Sequence, residues 1–310
     1  MDSAGTRVAH ANGSARTTLA LAISLALLVA AALVGVNAPQ ARAVGIDTAC
    51  GTTLSAAEVD TVVELSDTTA LTGTPMQRLE QAVANHRRIV EILAEHGDRR
   101  GVFAIGLEAV EQAAVMPLQR TEAAFDDPDW SHRISLELLS RFLRNLHAEF
   151  SGGATEPQWA HYFALTKQCL LSPARVAMAG YNAHLSVDLS FSVAAVRGTP
   201  ANAPDYFRLV DAIATEGFRI VEVTKAVYGG DLGPLWRFYF LGEGLDAVLG
   251  AGVATGPLLR LADAGANVLI FGNGLALQDP ALAATVRAEM DLLWHSADVA
   301  FEVLVALGGL

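Results

Sequence analysis

Helix-start signals punctuate this chain so regularly that little room is left for any other element. Thr74-Pro75-Met76-Gln77 sets a hydroxyl cap, a proline at the first helical position and a glutamine at the third. Ser55-Ala56-Ala57-Glu58 and Thr155-Glu156-Pro157-Gln158 are capping-box patterns, and Ser172-Pro173 and Asp279-Pro280 each join a cap to a proline. Asp129 offers another cap ahead of the run from Trp130 to Phe150. Apolar residues of helical period follow these signals, and few segments alternate with period two. The chain therefore predicts an all-α fold, a multi-helix bundle of about seven main helices. Their expected spans are 74–95, 102–122 with a bend at Pro117, 130–150, 155–169, 173–197, 203–228 and 280–307.

The chain has 310 residues, 52% of them hydrophobic and 17% charged, which is enough apolar matter for a large core. Residues 1–43 stand apart. Arg7 and Arg16 precede an apolar run from Leu19 to Val36, and Asn37-Ala38-Pro39 leads to Ala41-Arg42-Ala43. A basic start, an apolar middle and small residues at the end predict a signal peptide cleaved after Ala43 and an exported protein, secreted or at the cell surface. Left uncut, the apolar run is long enough to act as an N-terminal membrane anchor. Once it is cut, no membrane span is expected. Residues 44–73 read as an irregular arm with one short helix, and residues 74–310 as the helical domain. Within the latter, Gly242 to Gln278 is apolar, glycine-rich and nearly uncharged, suited to loosely patterned core helices, to short helices packed around a cleft for an apolar, lipid-like small molecule, or to a mobile lid.

Acidic residues outnumber basic ones, 33 to 21, for a formal charge of −12, which becomes −14 when the leader takes Arg7, Arg16, Arg42 and Asp2 with it. Such a chain repels phosphate backbones and anionic lipid surfaces, so nucleic acid is not an expected partner. Cys50 and Cys169 are the only cysteines. In an exported chain the pair predicts a disulfide pinning the arm to the body, against the alternative of two free thiols.

No GxSxG elbow, Walker loop, HExxH or complete GxGxxG occurs. Chemistry, if present, belongs to polar groups set in apolar helices. In Gly180-Tyr-Asn-Ala-His-Leu-Ser-Val-Asp-Leu189, His184 and Asp188 fall on one face of a helix whose flanks are apolar nearly all round. Buried, they need partners. One reading makes them ligands of a divalent metal, zinc or manganese. The other makes them, with Asn182 on the far side, a polar network that locks the helix to its neighbours. Asp291, His295 and Asp298 share a face of the last helix beside Trp294 and would complete a metal shell if that helix crosses the first. They read equally as solvated surface charges. Of the other histidines, His86 and His96 flank basic residues and read as solvent-facing, and His147 and His161 as surface or interface groups. Trp159 and Trp236 read as packing anchors.

The motifs Gly101-Val-Phe-Ala104, Phe125-Asp-Asp127, Trp159-Ala-His-Tyr-Phe163 and Gly180-Tyr-Asn-Ala-His184 with Asp188-Leu189 resemble those of a bacterial family, domain-of-unknown-function family 5995. The likeness covers roughly residues 85–230, and Ser186 departs from it, standing where the family pattern has asparagine. It implies an all-helical fold, marks Asn182, His184 and Asp188, and brings no activity with it. The His-x-x-x-Asp pair alone also resembles ligand pairs in zinc-dependent phospholipases C and single-strand nucleases. Two functions are expected on these grounds. One is a metal-assisted hydrolase of an ester or phosphoester, with His184, Asp188, His295, Asp298 and Asp291 around a metal-bound water. The other is a non-catalytic extracellular binding protein for an apolar ligand.

Overall fold

The computed structural model describes residues 48–121, 123–233 and 255–306, and within them the cap signals have become helix starts. Among the described residues there are helices and no strand, as the all-α reading requires. Residues 1–43, read as a signal peptide, and the part of the glycine-rich stretch at 242–254 lie outside them. All described residues belong to one unit, Ile46–Leu310.

Helix α1 is Ala56–Ser66, where Ser55 and Glu58 cap one another reciprocally. Helix α2 is Pro75–Glu95, with the same exchange between Thr74 and Gln77. Helix α3, Val102–Val110, passes through a π-helical turn at Glu111–Val115 into the short α4, Met116–Gln119. The expected bend at Pro117 takes this form for a steric reason. The proline ring cannot sit beneath the carbonyl four residues back and offers no N–H, so the turn widens ahead of it. Helix α5, Pro128–Ser151, is capped by Asp127, which accepts from the Trp130 N–H. Asp129, expected as the cap, sits in the first turn and pairs with Arg133 at 3.3 Å.

Helix α6 is Pro157–Thr166 and α7 is Pro173–Asn182, followed by a second π-helical turn, Ala183–Asp188, and α8, Leu189–Ala195. The span 203–228, expected as one helix, divides at Gly217 into α9, Ala203–Glu216, and α10, Phe218–Tyr228. Helix α11 is Thr255–Ala276 and α12 is Ala283–Ala306.

Helix α2 packs along α5 and α1 covers both, so the stretch expected as an arm adds Val62 to the core. Helix α3 lies between α7 and α10, α12 runs over α7 and the second π turn, and α8 packs on α11. Phe103 of α3 is the hub of the core. Its ring stands 5.1 Å from Phe142, 5.3 Å from Trp159 and 5.0 Å from Tyr181. Two glycines permit this closeness. A Cβ on Gly180 would meet the Phe103 Cβ at 2.5 Å, so only a bare α-carbon lets α7 reach α3 there. Gly106 leaves the matching space on α3 for the Tyr181 hydroxyl.

Cys50 and Cys169 are disulfide-bonded across 119 residues, as the sequence predicts, fastening the segment ahead of α1 to the chain just after α6. In the chain-entropy account a loop of this size contributes about 5 kcal/mol.

Candidate functional site

The second π turn carries both His184 and Asp188. It is closed by the Leu189 N–H bonding to the His184 carbonyl, five residues back. Residues four apart share a side of such a turn, and what separates His184 from Asp188 is their surroundings, the Phe103 ring for one and the Gln158 and Trp159 donors for the other.

Asp188 is fully buried. Oδ1 accepts from Gln158 Nε2 at 3.0 Å and Oδ2 from Trp159 Nε1 at 2.8 Å. Both donors come from the start of α6. Gln158, expected to close a capping box, makes no cap, and Glu156 stands at the cap position without a side-chain bond of that kind. Burial pushes the Asp188 carboxyl up to about 7, against the pull of the Trp159 and Gln158 hydrogen bonds. His184 is also buried, with its ring 5.1 Å from that of Phe103. Its Nδ1 has no partner among the described residues. Burial, then the nearby His86, draws this imidazole down to about 3, so it is neutral at physiological pH. Asn182 points elsewhere, as expected. Its Nδ2 donates to the Trp294 carbonyl at 2.8 Å, and its Oδ1 accepts from the Ser186 hydroxyl.

The residues read as a shared metal shell stand in three settings. Asp188 is engaged by α6. Asp291 and His295 are exposed on α12, where His295 Nδ1 donates to the Asp291 carbonyl one turn back at 2.8 Å. Asp298 accepts from Arg175 Nη2 at 2.6 Å and stands 2.9 Å from His161 Nε2. Burial pushes the Asp298 carboxyl up, but His161 and Arg175 outweigh it and hold the group below its ordinary value. Among the described residues no group of three or more His, Cys, Asp or Glu side chains stands close enough to hold a metal ion. The convergence of the last helix on the His184 face is thus corrected. The helices do meet, but through Asn182 and the Trp294 backbone, while Asp298 turns to Arg175.

Sequence reasoning missed a second buried pair. His86, expected in solvent, is buried on α2 with Nδ1 2.7 Å from Glu111 Oε2, and Glu111 opens the first π turn. Helical period carried the signal. Position 86 lies in phase with Leu79, Ala82, Val83, Ile89, Val90 and Leu93, all buried. The neighbouring Arg87 and Arg88 pointed the other way. His96, also expected in solvent, is half-buried and binds Glu58 at 2.9 Å. Each π turn thus carries titratable groups toward the aromatic hub, a coincidence that often marks function. Here those groups are enclosed: Asp188 has 0% of its surface exposed. Chemically the arrangement can hold helices in register and keep a proton on a buried carboxyl.

Comparison with known proteins adds one relationship. Residues 79–232 match the model of a family described as a family of unknown function, DUF5995. No curated protein and no solved structure matches the chain.

Proposed function

From the premise that residues 79–232 belong to DUF5995 and bring no activity with them, we propose that this protein is an exported, non-catalytic binding protein for a neutral, lipid-like molecule. In this reading His184 and Asp188 are a structural strut. The observation that carries it is the state of Asp188. Both carboxylate oxygens are engaged by Gln158 and Trp159 inside a closed core, whereas a catalytic metal needs ligands around an open coordination position. Export is supported by the leader pattern and by the Cys50–Cys169 bridge, a bond that persists in oxidising compartments.

The ligand class is supported by α12, which is apolar on two sides. Met290, Trp294 and Phe301 are buried beneath it. On the opposite side Leu292, Val299 and Val303 are 67%, 63% and 55% exposed, in phase along the helix. A helix with apolar residues on two opposite faces can be covered on both. The net charge of −12 favours an uncharged head group over an anionic one.

The test uses untagged mature protein, metal analysis and titration with a fluorescent monoacylglycerol. Expected are no stoichiometric metal and saturable binding that Leu292→Glu with Val299→Glu abolishes. Stoichiometric zinc or manganese, lost in a folded His184→Leu variant, would overturn the reading in favour of metal-assisted hydrolysis of an ester or phosphoester. So would monoacylglycerol binding that the α12 variant leaves unchanged.

A further inference from the structure

Away from both the strut and α12, a groove of about 270 Å³ opens among α2, α5 and the end of α8. Arg78, Arg133, Arg144 and Arg197 line it together with Ser140 and one carboxylate, Glu137. Gathering four guanidinium groups in one groove is costly in mutual repulsion, and it is unexpected in a chain with 33 acidic and 21 basic side chains. The carboxylates nearby neutralise only two of the four, Arg144 and Arg133. Glu137 is engaged by Arg144 at 3.0 Å and by Arg141 at 3.2 Å. Arg133 reaches back to Asp129, an exposed pair of little worth.

Arg78 and Arg197 have no ion pair with any described residue, and the Arg78 Nε is buried without a hydrogen-bond partner. Ser140 is only 4% exposed, yet its hydroxyl, on the wall of the groove, makes no hydrogen bond to a described residue. Two unpaired guanidinium groups and a serine that lines the same groove are donors able to meet an acceptor there.

Arg197 adds a backbone observation. It follows α8 with φ +59°, in the left-handed region where a helix normally ends on glycine. The Arg197 N–H bonds to the Ala194 carbonyl at 3.1 Å and the Gly198 N–H to the Val193 carbonyl at 2.9 Å, closing a Schellman turn. Gln278 then ties down the Gly198 carbonyl at 2.8 Å. The fold holds an arginine in a conformation that glycine would adopt more easily.

We propose that this groove is an anion site for a tetrahedral oxyanion dianion, either free phosphate or the phosphate group of a small phosphomonoester. Arg78 and Arg197 would grip it with paired N–H donors and Ser140 would supply a hydroxyl. This site does not depend on the apolar face of α12, and its tests leave that face untouched.

The experiment is thermal unfolding and calorimetric titration of the mature protein at constant ionic strength, with inorganic phosphate, glycerol phosphate or chloride. Saturable stabilisation by phosphate but not by chloride is expected. Arg78→Gln and Arg197→Gly should each weaken phosphate binding about tenfold or more, the worth of a charge-assisted contact. Arg197→Gly should at the same time raise the melting temperature of the ligand-free protein, which separates lost binding from lost folding. Tighter binding of glycerol phosphate assigns the organic source, and equal or weaker binding assigns free phosphate. Stabilisation by chloride equal to that by phosphate, or phosphate binding unchanged in both variants, would overturn the proposal.

Discussion

Asp188 and Arg197 flank the same short helix, α8, and the fold treats their charges in opposite ways. Asp188 lies inside, with each oxygen matched to a donor from α6 and its proton affinity raised by burial. Arg197 lies outside, with no ion pair to a described residue, on a backbone conformation that disfavours it. The sequence draws the eye to Asp188, because a carboxylate in an oily helix is conspicuous. Yet the conspicuous residue is the one the protein has already satisfied. The surface arginine, which no local pattern distinguishes, is the one still able to meet something else.

The largest break in this comparison should come from Asp188→Ala. It strands two buried donors, and a loss of about 3–5 kcal/mol is expected from urea unfolding, since each unsatisfied buried group costs about 1–3 kcal/mol and a cavity adds to it. A loss below about 1 kcal/mol would sink the structural reading of this carboxylate.

Next come two opposed pH slopes, each up to about 1.4 kcal/mol per pH unit. The His184 pKa falls from 6.5 when unfolded to about 3 when folded. The unfolded chain then binds more protons, so this group makes stability rise with pH across that window. The Asp188 pKa rises from 3.8 to about 7. Here the folded chain binds more protons, so this group makes stability fall with pH across its window. In the overlap the two oppose each other. Relative to wild type, His184→Leu should therefore lose stability as pH rises from about 3 to 6.5, and Asp188→Asn should gain it from about 4 to 7. Parallel curves for wild type and either variant would refute the assigned shifts.

Smaller still, Trp159→Phe keeps the ring and removes one donor to Asp188. It should cost about 1–2 kcal/mol and move the descending limb of the stability–pH curve to higher pH. Smallest is Arg197→Gly, expected to stabilise by about 1 kcal/mol as the left-handed position is relieved, read from the denaturation midpoint. Destabilisation there would mean that the arginine side chain supports the fold rather than the groove.

Much of the fold was legible because caps act locally. Ser55 with Glu58 and Thr74 with Gln77 need only neighbours within one turn, and both formed as their spacing requires. The disulfide was legible from chemistry, two cysteines in a chain whose start reads as an export signal. Other features depended on distant residues. Gln158 has two possible partners, its own helix start and Asp188, and only the packing of α6 against the second π turn decides between them. The π turns themselves leave no spacing signal apart from Pro117. The Arg78, Arg133, Arg144 and Arg197 groove is assembled from three helices, so no linear motif announces it. For the candidate metal residues, sequence spacing placed each set on a face but could not orient one helix against another.

The bond between Cys50 and Cys169 has a temporal consequence. A chain made amino end first carries Cys50 while its partner is still 119 residues behind. In that interval all of α1 to α6 appear. The staple therefore cannot template the early bundle. It is a finishing stitch that cannot close before the chain through α6 has been made.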